Sequence, residues 1–163
     1  MIEKLKDLFK KYTGADSVNI TELPSSGSNR RYFRLDGGVA SLIGVIGTCK
    51  EENKAFINLA KHFFANRIRV PKILAVSDDG MSYLQEDLGD TMLYESVKNG
   101  RESGEYSSYE KELLFKAVSK LPAMQFKGAE GLDFSVCYPE PEFNDRMVMF
   151  DLNYFKYCFL KAK

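Results

Sequence analysis

The sequence predicts an α+β protein in which an antiparallel sheet comes first and helices follow. Short β-prone runs, separated by turns rich in Gly, Ser or Asp, fill much of residues 18–86. A helix with an apolar stripe interrupts them after residue 47, and beyond residue 87 every periodic segment has helical spacing. With 163 residues, of which 44% are hydrophobic, the chain has about the length of one domain and enough apolar side chains for a core.

Composition argues against several function classes. Lys and Arg number 23, as do Asp and Glu, so no net charge attracts nucleic acid or an anionic membrane. No apolar run approaches the ~20 residues of a membrane span. Cys49, Cys137 and Cys158 are far apart and form no CxxC pair, which indicates a reducing compartment and neither a disulfide framework nor a zinc site. We therefore expect a cytoplasmic protein with no nucleic-acid or membrane partner.

An amphipathic helix begins the chain, and Gly14 is placed to end it. A hairpin follows, in which the β-prone runs 18–23 and 30–35 flank small and polar residues. The third strand, 39–46, is nearly all apolar, so we expect it at the centre of the sheet, covered on both faces. The apolar stripe of the first helix consists of Ile2, Leu5, Leu8, Phe9 and Tyr12.

The turn of the first hairpin is a candidate site. Its small residues leave backbone N–H groups open, and Gly27 allows the chain to approach a ligand closely. Arg30, Arg31 and Arg34 add positive charge, and donors combined with cations suit a phosphate. The alternative is a solvated turn with surface arginines, as in many glycine-containing hairpins. The turn residues are Ser25, Ser26, Gly27, Ser28 and Asn29.

The second helix is expected to begin with a capping box, in which Thr48 caps the helix and Glu51 reaches back. Glu52 lies four residues before Phe56 on the same inward stripe, and a carboxylate there requires a cation or a donor. The alternative is that Glu52 lies at the helix margin and interacts with the helix dipole. His62 is expected to be a partly exposed helix residue, because no Cys or His lies at metal-ligand spacing.

A second hairpin completes the predicted sheet, with strands 73–76 and 81–85 around a turn at 78–80. Beyond it, Asp90 is expected to cap a helix that reaches about Val97. A polar loop at 100–108 then leads to a long helix, which is followed by an irregular stretch at 127–141. The long helix spans 109–126, with Leu114, Ala117, Val118 and Leu121 inward and Pro122 placed to end or kink it.

The last segment, 142–163, has the length of a helix and apolar residues all round its axis. Such a helix should be buried on every side. Two explanations follow from this pattern. Either a partner chain covers the segment, through a homodimer at residues 142–160, or the chain is the front part of a longer protein.

This order of elements resembles the N-lobe of the protein-kinase-like fold, with a five-stranded antiparallel sheet plus a helix, followed by the first helices of an incomplete helical C-lobe. More narrowly, the chain resembles the aminoglycoside phosphotransferase and choline kinase family. Within this family, the run RRYFR favours the bacterial branch that phosphorylates amino sugars. The residues that carry the resemblance are 27–35 (GSNRRYFRL), 52–56 (ENKAF), 70–74 (VPKIL) and 83–89 (YLQEDLG).

The resemblance implies a role for each matching segment. Residues 1–87 would form the N-lobe, and residues 88–163 the start of the C-lobe. The turn at 25–29, with Arg31 beside it, would cover the phosphates of ATP bound with Mg²⁺, and Glu52 would pair with a phosphate-binding lysine. Adenine would bind the hinge at Gln85, Glu86 and Asp87. The first C-lobe helix would begin at Asp90, the long C-lobe helix would span 109–126, and the acceptor substrate would lie near 151–156.

Two departures from the family's pattern matter. Strand 39–46 lacks the Lys or Arg that holds the α- and β-phosphates, and Lys50, Arg31 and Arg34 are the candidates to replace it. The His-Gly-Asp catalytic segment is absent, since His62 is followed by two phenylalanines. Asp151 and Asn153 have the residue types of its base and metal ligand. They would not lie on one face of a helix, however, because the side chains of residues i and i+2 point about 200° apart. No catalytic or metal-binding residue is therefore assigned.

Two functions remain open. The first is the N-terminal nucleotide-binding part of a small-molecule phosphotransferase, which would transfer the γ-phosphoryl group of ATP to a sugar or amino-alcohol hydroxyl. This chain alone is then expected to be inactive, because phosphoryl transfer depends on positioning and charge neutralisation at the missing loop. The alternative is a complete, non-catalytic nucleotide- or protein-binding module that dimerises through its C-terminal helix.

Overall fold

A computed structural model describes residues 2–16, 18–24, 27, 29–38 and 40–161. Within them, five strands form an antiparallel sheet in the order β1-β2-β3-β5-β4. This confirms the α+β class and the five-stranded antiparallel sheet. The strands are β1 (Asn19–Glu22), β2 (Arg31–Asp36), β3 (Ser41–Ile46), β4 (Ile73–Val76) and β5 (Ser82–Glu86).

The helices precede, interrupt and follow the sheet, as the sequence predicts. None of the helices in the described part of the chain is long and apolar enough to cross a bilayer. The helices are α1 (Ile2–Thr13), α2 (Lys50–Ala65), α3 (Leu93–Ser96), α4 (Lys98–Ser103), α5 (Ser108–Val118), α6 (Leu121–Gln125) and α7 (Asp145–Phe155), with 3₁₀ turns at Lys127–Ala129 and Phe134–Val136 and a π-helical turn at Lys156–Leu160.

Strand β3 lies at the centre of the sheet and is covered on both faces, as predicted; Val39 lies outside the described residues. Its alternate side chains belong to two apolar clusters, one formed with α1 and one with α2. A Cβ added at Gly44 would lie 2.6 Å from Leu35 Cδ1 and 3.0 Å from Leu5 Cδ1, so α1 packs directly on the strand. The α1 side buries Leu42 and Ile46, and the α2 side buries Ile43 and Val45.

The predicted capping box at the start of α2 is wrong. The helix begins at Lys50, and its N-cap is Cys49, whose side chain makes no capping hydrogen bond. The physical reason is that the sheet holds the preceding residues, since the N–H of Gly47 donates to the carbonyl of Met81 at 2.9 Å. Asn53, fully buried on α2, packs against Gly47 and donates to the same carbonyl. The helix therefore begins one residue later than a cap at Thr48 would place it.

Two predictions for the first helices after the sheet are also wrong. Asp90 does not cap a helix: α3 has Met92 as its N-cap, and the Asp90 carboxylate binds Arg34 instead. The segment 100–108 is not all loop, because α4 occupies its first part. The buried carboxylate of Glu110 stabilises this arrangement by accepting the N–H of Gly100 at 2.8 Å and that of Ser107 at 2.8 Å.

The predicted helix 109–126 is two helices. Helix α5 ends at Val118 and α6 begins at Leu121, with Pro122 in its first turn, where a missing N–H costs no hydrogen bond. The inward stripe is also wrong, since Leu114 is half-buried whereas Ala117, Val118 and Leu121 are exposed. No described element covers that face, and the periodicity alone could not reveal this.

The last segment forms α7 and the π-helical turn, starting at Asp145; residues 162 and 163 lie outside the described residues. The apolar pattern predicted burial, but within this chain most of the large apolar side chains of the segment are exposed. They include Met149 (53% exposed), Phe150 (64%), Leu152 (56%), Tyr154 (65%), Phe155 (51%), Tyr157 (58%), Phe159 (57%) and Leu160 (59%).

Candidate functional site

An ion pair joins the first hairpin to α2. Arg30 Nη2 lies 2.9 Å from Glu52 Oε1 and donates to the Glu52 carbonyl at 3.3 Å. The guanidinium also lies 4.9 Å from the centre of the Phe56 ring. The Arg30 side chain is only 11% exposed, whereas that of Glu52 is 37% exposed. Glu52 thus lies at the edge of the inward face, where the alternative prediction placed it, and its carboxylate has a cation as partner. That cation is Arg30, which the sequence analysis did not select for this role.

A sequence signal does point to Arg30. Side chains alternate between the faces of a strand, so position 30 shares its face with Tyr32 and Arg34 if the strand pattern extends one residue back. Tyr32 belongs to the cluster packed against α2, whereas Phe33 belongs to the cluster packed against α1. The alternation therefore places Arg30 on the α2 side.

The three cations predicted to replace the strand lysine have other partners. Arg31 forms a bidentate pair with Glu22, with Nε 2.7 Å from Oε1. Arg34 binds the carboxylates of Asp87 and Asp90. The Lys50 side chain lies beside Gly80, with its Cε 3.6 Å from the position of an added Cβ there. None of these contacts involves Glu52.

Asp87 holds the segment after β5 to the sheet. Its carboxylate accepts hydrogen bonds from Arg34 Nε at 2.7 Å, from Ser41 Oγ at 2.6 Å and from the N–H of Gly89 at 2.9 Å. The hydrogen bond from Arg34 is the main reason that the pKa of Asp87 is lowered to about 2. Asp87 is therefore ionised at neutral pH, and the segment is fixed to both β2 and β3.

Gln85 and Glu86, the other predicted hinge residues, lie at the end of β5. The N–H of Glu86 donates to the carbonyl of Lys72 at 3.0 Å, which ties this end of β5 to the chain before β4. The side-chain oxygen of Gln85 is buried and has no hydrogen-bond partner among the described residues.

A cavity of about 360 Å³ brings the three predicted hinge residues together with β2, β3 and the chain just after β1. Apolar and aromatic side chains form part of its wall, and the chain after β5 supplies its polar edge. The volume lies within the ~300–1,000 Å³ typical of small-molecule sites. The lining residues are Leu23, Pro24, Tyr32, Arg34, Ile43, Pro71, Gln85, Glu86, Asp87, Leu88, Gly89, Asp90 and Met92.

The predicted phosphate turn is described only in part. Ser25, Ser26 and Ser28 lie outside the described residues, whereas Gly27 and Asn29 are described and exposed. A Cβ added at Gly27 would meet no atom within 4 Å, so packing does not require glycine at this position.

His62 is a half-buried residue on α2, as predicted. Its Nε2 lies 2.9 Å from the carbonyl oxygen of Gly128, so the side chain joins α2 to the first 3₁₀ turn. Among the residues that the structure describes, no group of three or more His, Cys, Asp or Glu side chains could hold a metal ion. We assign no magnesium ligand among these described residues.

Comparison of the chain with protein-family models, with curated proteins and with solved structures finds no match in any of the three. The functional argument therefore rests on the geometry of the site and on the sequence motifs.

Proposed function

We propose that this chain is the N-terminal, nucleotide-binding part of an ATP-dependent phosphotransferase that acts on a sugar or amino-alcohol hydroxyl. Residues 1–87 would form the kinase-like N-lobe and residues 88–163 the start of the helical lobe. The observation that carries the proposal is the cavity beside β5, because its edge includes Gln85, Glu86 and Asp87, the residues that the family resemblance assigns to adenine.

The chemistry of this cavity suits a purine. Leu23 and Ile43 offer apolar contacts for the flat faces of a base, and backbone groups at 85–89 offer hydrogen bonds to its edge. The turn at 25–29 leads directly into Arg30, so a phosphate chain leaving the cavity toward that turn meets positive charge. ATP would supply the γ-phosphoryl group. The family's catalytic segment does not occur in the sequence, so the proposal for this chain covers binding and not transfer.

The cytoplasm is the proposed location. Cys49, Cys137 and Cys158 are free thiols, which supports a reducing compartment. A cytosolic ATP-binding protein is consistent with that setting.

Isothermal titration calorimetry with ATP and with ADP tests the proposal. We expect the wild-type chain to bind both nucleotides with a dissociation constant between about 1 μM and 1 mM, the range common for enzyme substrates. Ile43→Phe places a larger side chain in the cavity and should weaken binding about tenfold or more. Ile73→Phe is the matched control, since Ile73 lies on β4 opposite Gln85 and does not line the cavity.

Two results would contradict the proposal. One is the absence of binding by wild-type protein whose circular dichroism shows it to be folded. The other is equal weakening by Ile43→Phe and Ile73→Phe, which would indicate a general effect on the sheet.

The exposed apolar surface of α7 favours a second candidate, a non-catalytic module that binds a nucleotide or a protein and dimerises through this helix. The two candidates differ in what they require. The module requires self-association through residues 142–160, whereas the phosphotransferase part requires nucleotide binding whether or not the chain associates.

A further inference from the structure

We propose that Arg30 is the cation that contacts the α- and β-phosphates of the bound nucleotide, in place of a lysine on β3. This inference rests on the proposed nucleotide-binding function. It assigns to a residue at the end of the hairpin turn a contact that the family makes from the third strand.

Strand β3 carries no Lys or Arg side chain on the face that packs against α2. Ile43 and Val45 are the β3 side chains in the cluster packed against α2, and they are 7% and 0% exposed. Val45 lies opposite Tyr32 on one side and Tyr83 on the other, so it is enclosed by neighbouring strands. A phosphate near this face therefore requires a cation from another element.

Arg30 brings charge to this face in a fixed orientation. Its Nη2 contacts both the carboxylate and the carbonyl of Glu52, and the guanidinium lies over the ring of Phe56. A guanidinium carries five N–H donors in a planar fork whose geometry matches phosphate oxygens. Because the side chain is only 11% exposed, water screens its charge less than that of a surface arginine.

The neighbouring arginines are less suited to this role. The Arg31 side chain is 47% exposed and forms its pair with Glu22 across the β1–β2 ladder. Arg34 binds two carboxylates, Asp87 and Asp90, so the local charge around it is negative and repels phosphate. Arg30 is also the arginine that follows the predicted phosphate turn directly.

Calorimetric titration with two probes, ADP and adenosine, tests the inference on the full chain. The two ligands share the base and ribose and differ in the phosphates. Arg30→Gln should weaken ADP binding about 10- to 100-fold, the range expected for a lost hydrogen bond to a charged group. The affinity for adenosine should stay within about twofold, which also shows that the variant is folded. Arg30→Lys should recover part of the ADP affinity, because it restores the charge.

Arg31→Gln tests whether the adjacent arginine makes this contact instead. Arg146→Gln is the control, since the Arg146 side chain on α7 is 82% exposed, and it should change ADP affinity by no more than about twofold. Three results would contradict the role of Arg30 and leave the proposed nucleotide-binding function unaffected. They are equal wild-type affinities for adenosine and ADP, parallel losses of both ligands in Arg30→Gln, and an equal loss of ADP affinity in Arg31→Gln. If the folded wild type binds neither ligand, both the proposed function and this inference are wrong.

Discussion

Asp87 receives hydrogen bonds from three separate parts of the chain, which are Arg34 on β2, Ser41 on β3 and the backbone of Gly89. Its side chain is only 9% exposed, so solvent screens the pair with Arg34 weakly. The pKa, lowered to about 2 mainly by Arg34, lies below the ordinary value of ~3.9. The ionised carboxylate therefore stabilises the folded state. This contribution is fully present above about pH 4 and is lost as the pH falls through about 2.

Replacing Asp87 by Asn should lower the free energy of unfolding by about 1–2 kcal/mol at pH 7, because the ion pair with Arg34 is lost. The difference from the wild type should shrink as the pH falls from about 4 toward 2, where the wild-type carboxyl itself becomes protonated. Urea unfolding across this pH range measures the effect. Asp151→Asn on the exposed surface of α7 serves as the control. A difference that does not depend on pH would show that Asp87 contributes through packing and not through its charge.

At the scale of elements, the contact between α1 and β3 depends on a glycine. Leu5 of α1 is fully buried, and its side chain lies where a Cβ on Gly44 would project. Leu35 on β2 approaches the same point from within the sheet. The first helix can therefore lie flat on the central strand only if position 44 carries no side chain.

Gly44→Ala should destabilise the protein by about 1–3 kcal/mol, because the new methyl group would force α1 or β2 to shift. Gly27→Ala is the matched control, since a Cβ there meets no atom within 4 Å; its effect should stay within about 0.5 kcal/mol. Thermal or urea unfolding of the two variants gives the comparison. If both are as stable as the wild type, α1 does not pack on β3 as described.

At the scale of the whole molecule, the two halves of the chain differ in how they bury apolar surface. The sheet, α1 and α2 contain nearly all of the fully buried apolar side chains. Helix α7 and the turn after it expose theirs, and apolar patches of this kind mark interaction surfaces. The contacts that join the halves include the ion pair of Arg34 with Asp90 and the contact of His62 with Gly128.

We predict that the chain associates with itself through α7. Size-exclusion chromatography with light scattering should show a mass that rises with protein concentration. Combining Phe150→Glu with Tyr154→Glu places two charges one turn apart on this helix and should leave a monomer, because charges are unfavourable in an apolar interface. Asp151→Ala is the control variant. A wild-type monomer at every concentration would remove both this prediction and the dimerising module as a candidate function.

The sequence by itself determined which segments are strands and which are helices around the core. Alternation and turn residues predicted β4 with its observed bounds and β5 to within one residue, and the apolar run at 39–46 predicted a central strand. The position of Glu52 predicted either a cation or donor for this carboxylate or a place at the helix margin, and Glu52 lies at that margin with Arg30 as its partner. These features follow from local periodicity and from the cost of burying charge, and both can be read from neighbouring residues.

Only the tertiary structure decided which distant residues meet. Arg30 pairs with Glu52 across 22 positions of sequence, and Arg34 reaches Asp90 across 56, so a predicted helix cap became an ion-pair partner. Helix α2 begins at Lys50, after a segment whose Gly47 N–H is bonded to the carbonyl of Met81, and it does not use the local cap that Thr48 offers. The physical reason is that a polar side chain can form hydrogen bonds or ion pairs with several groups. Which group it binds depends on which elements of the fold lie next to it.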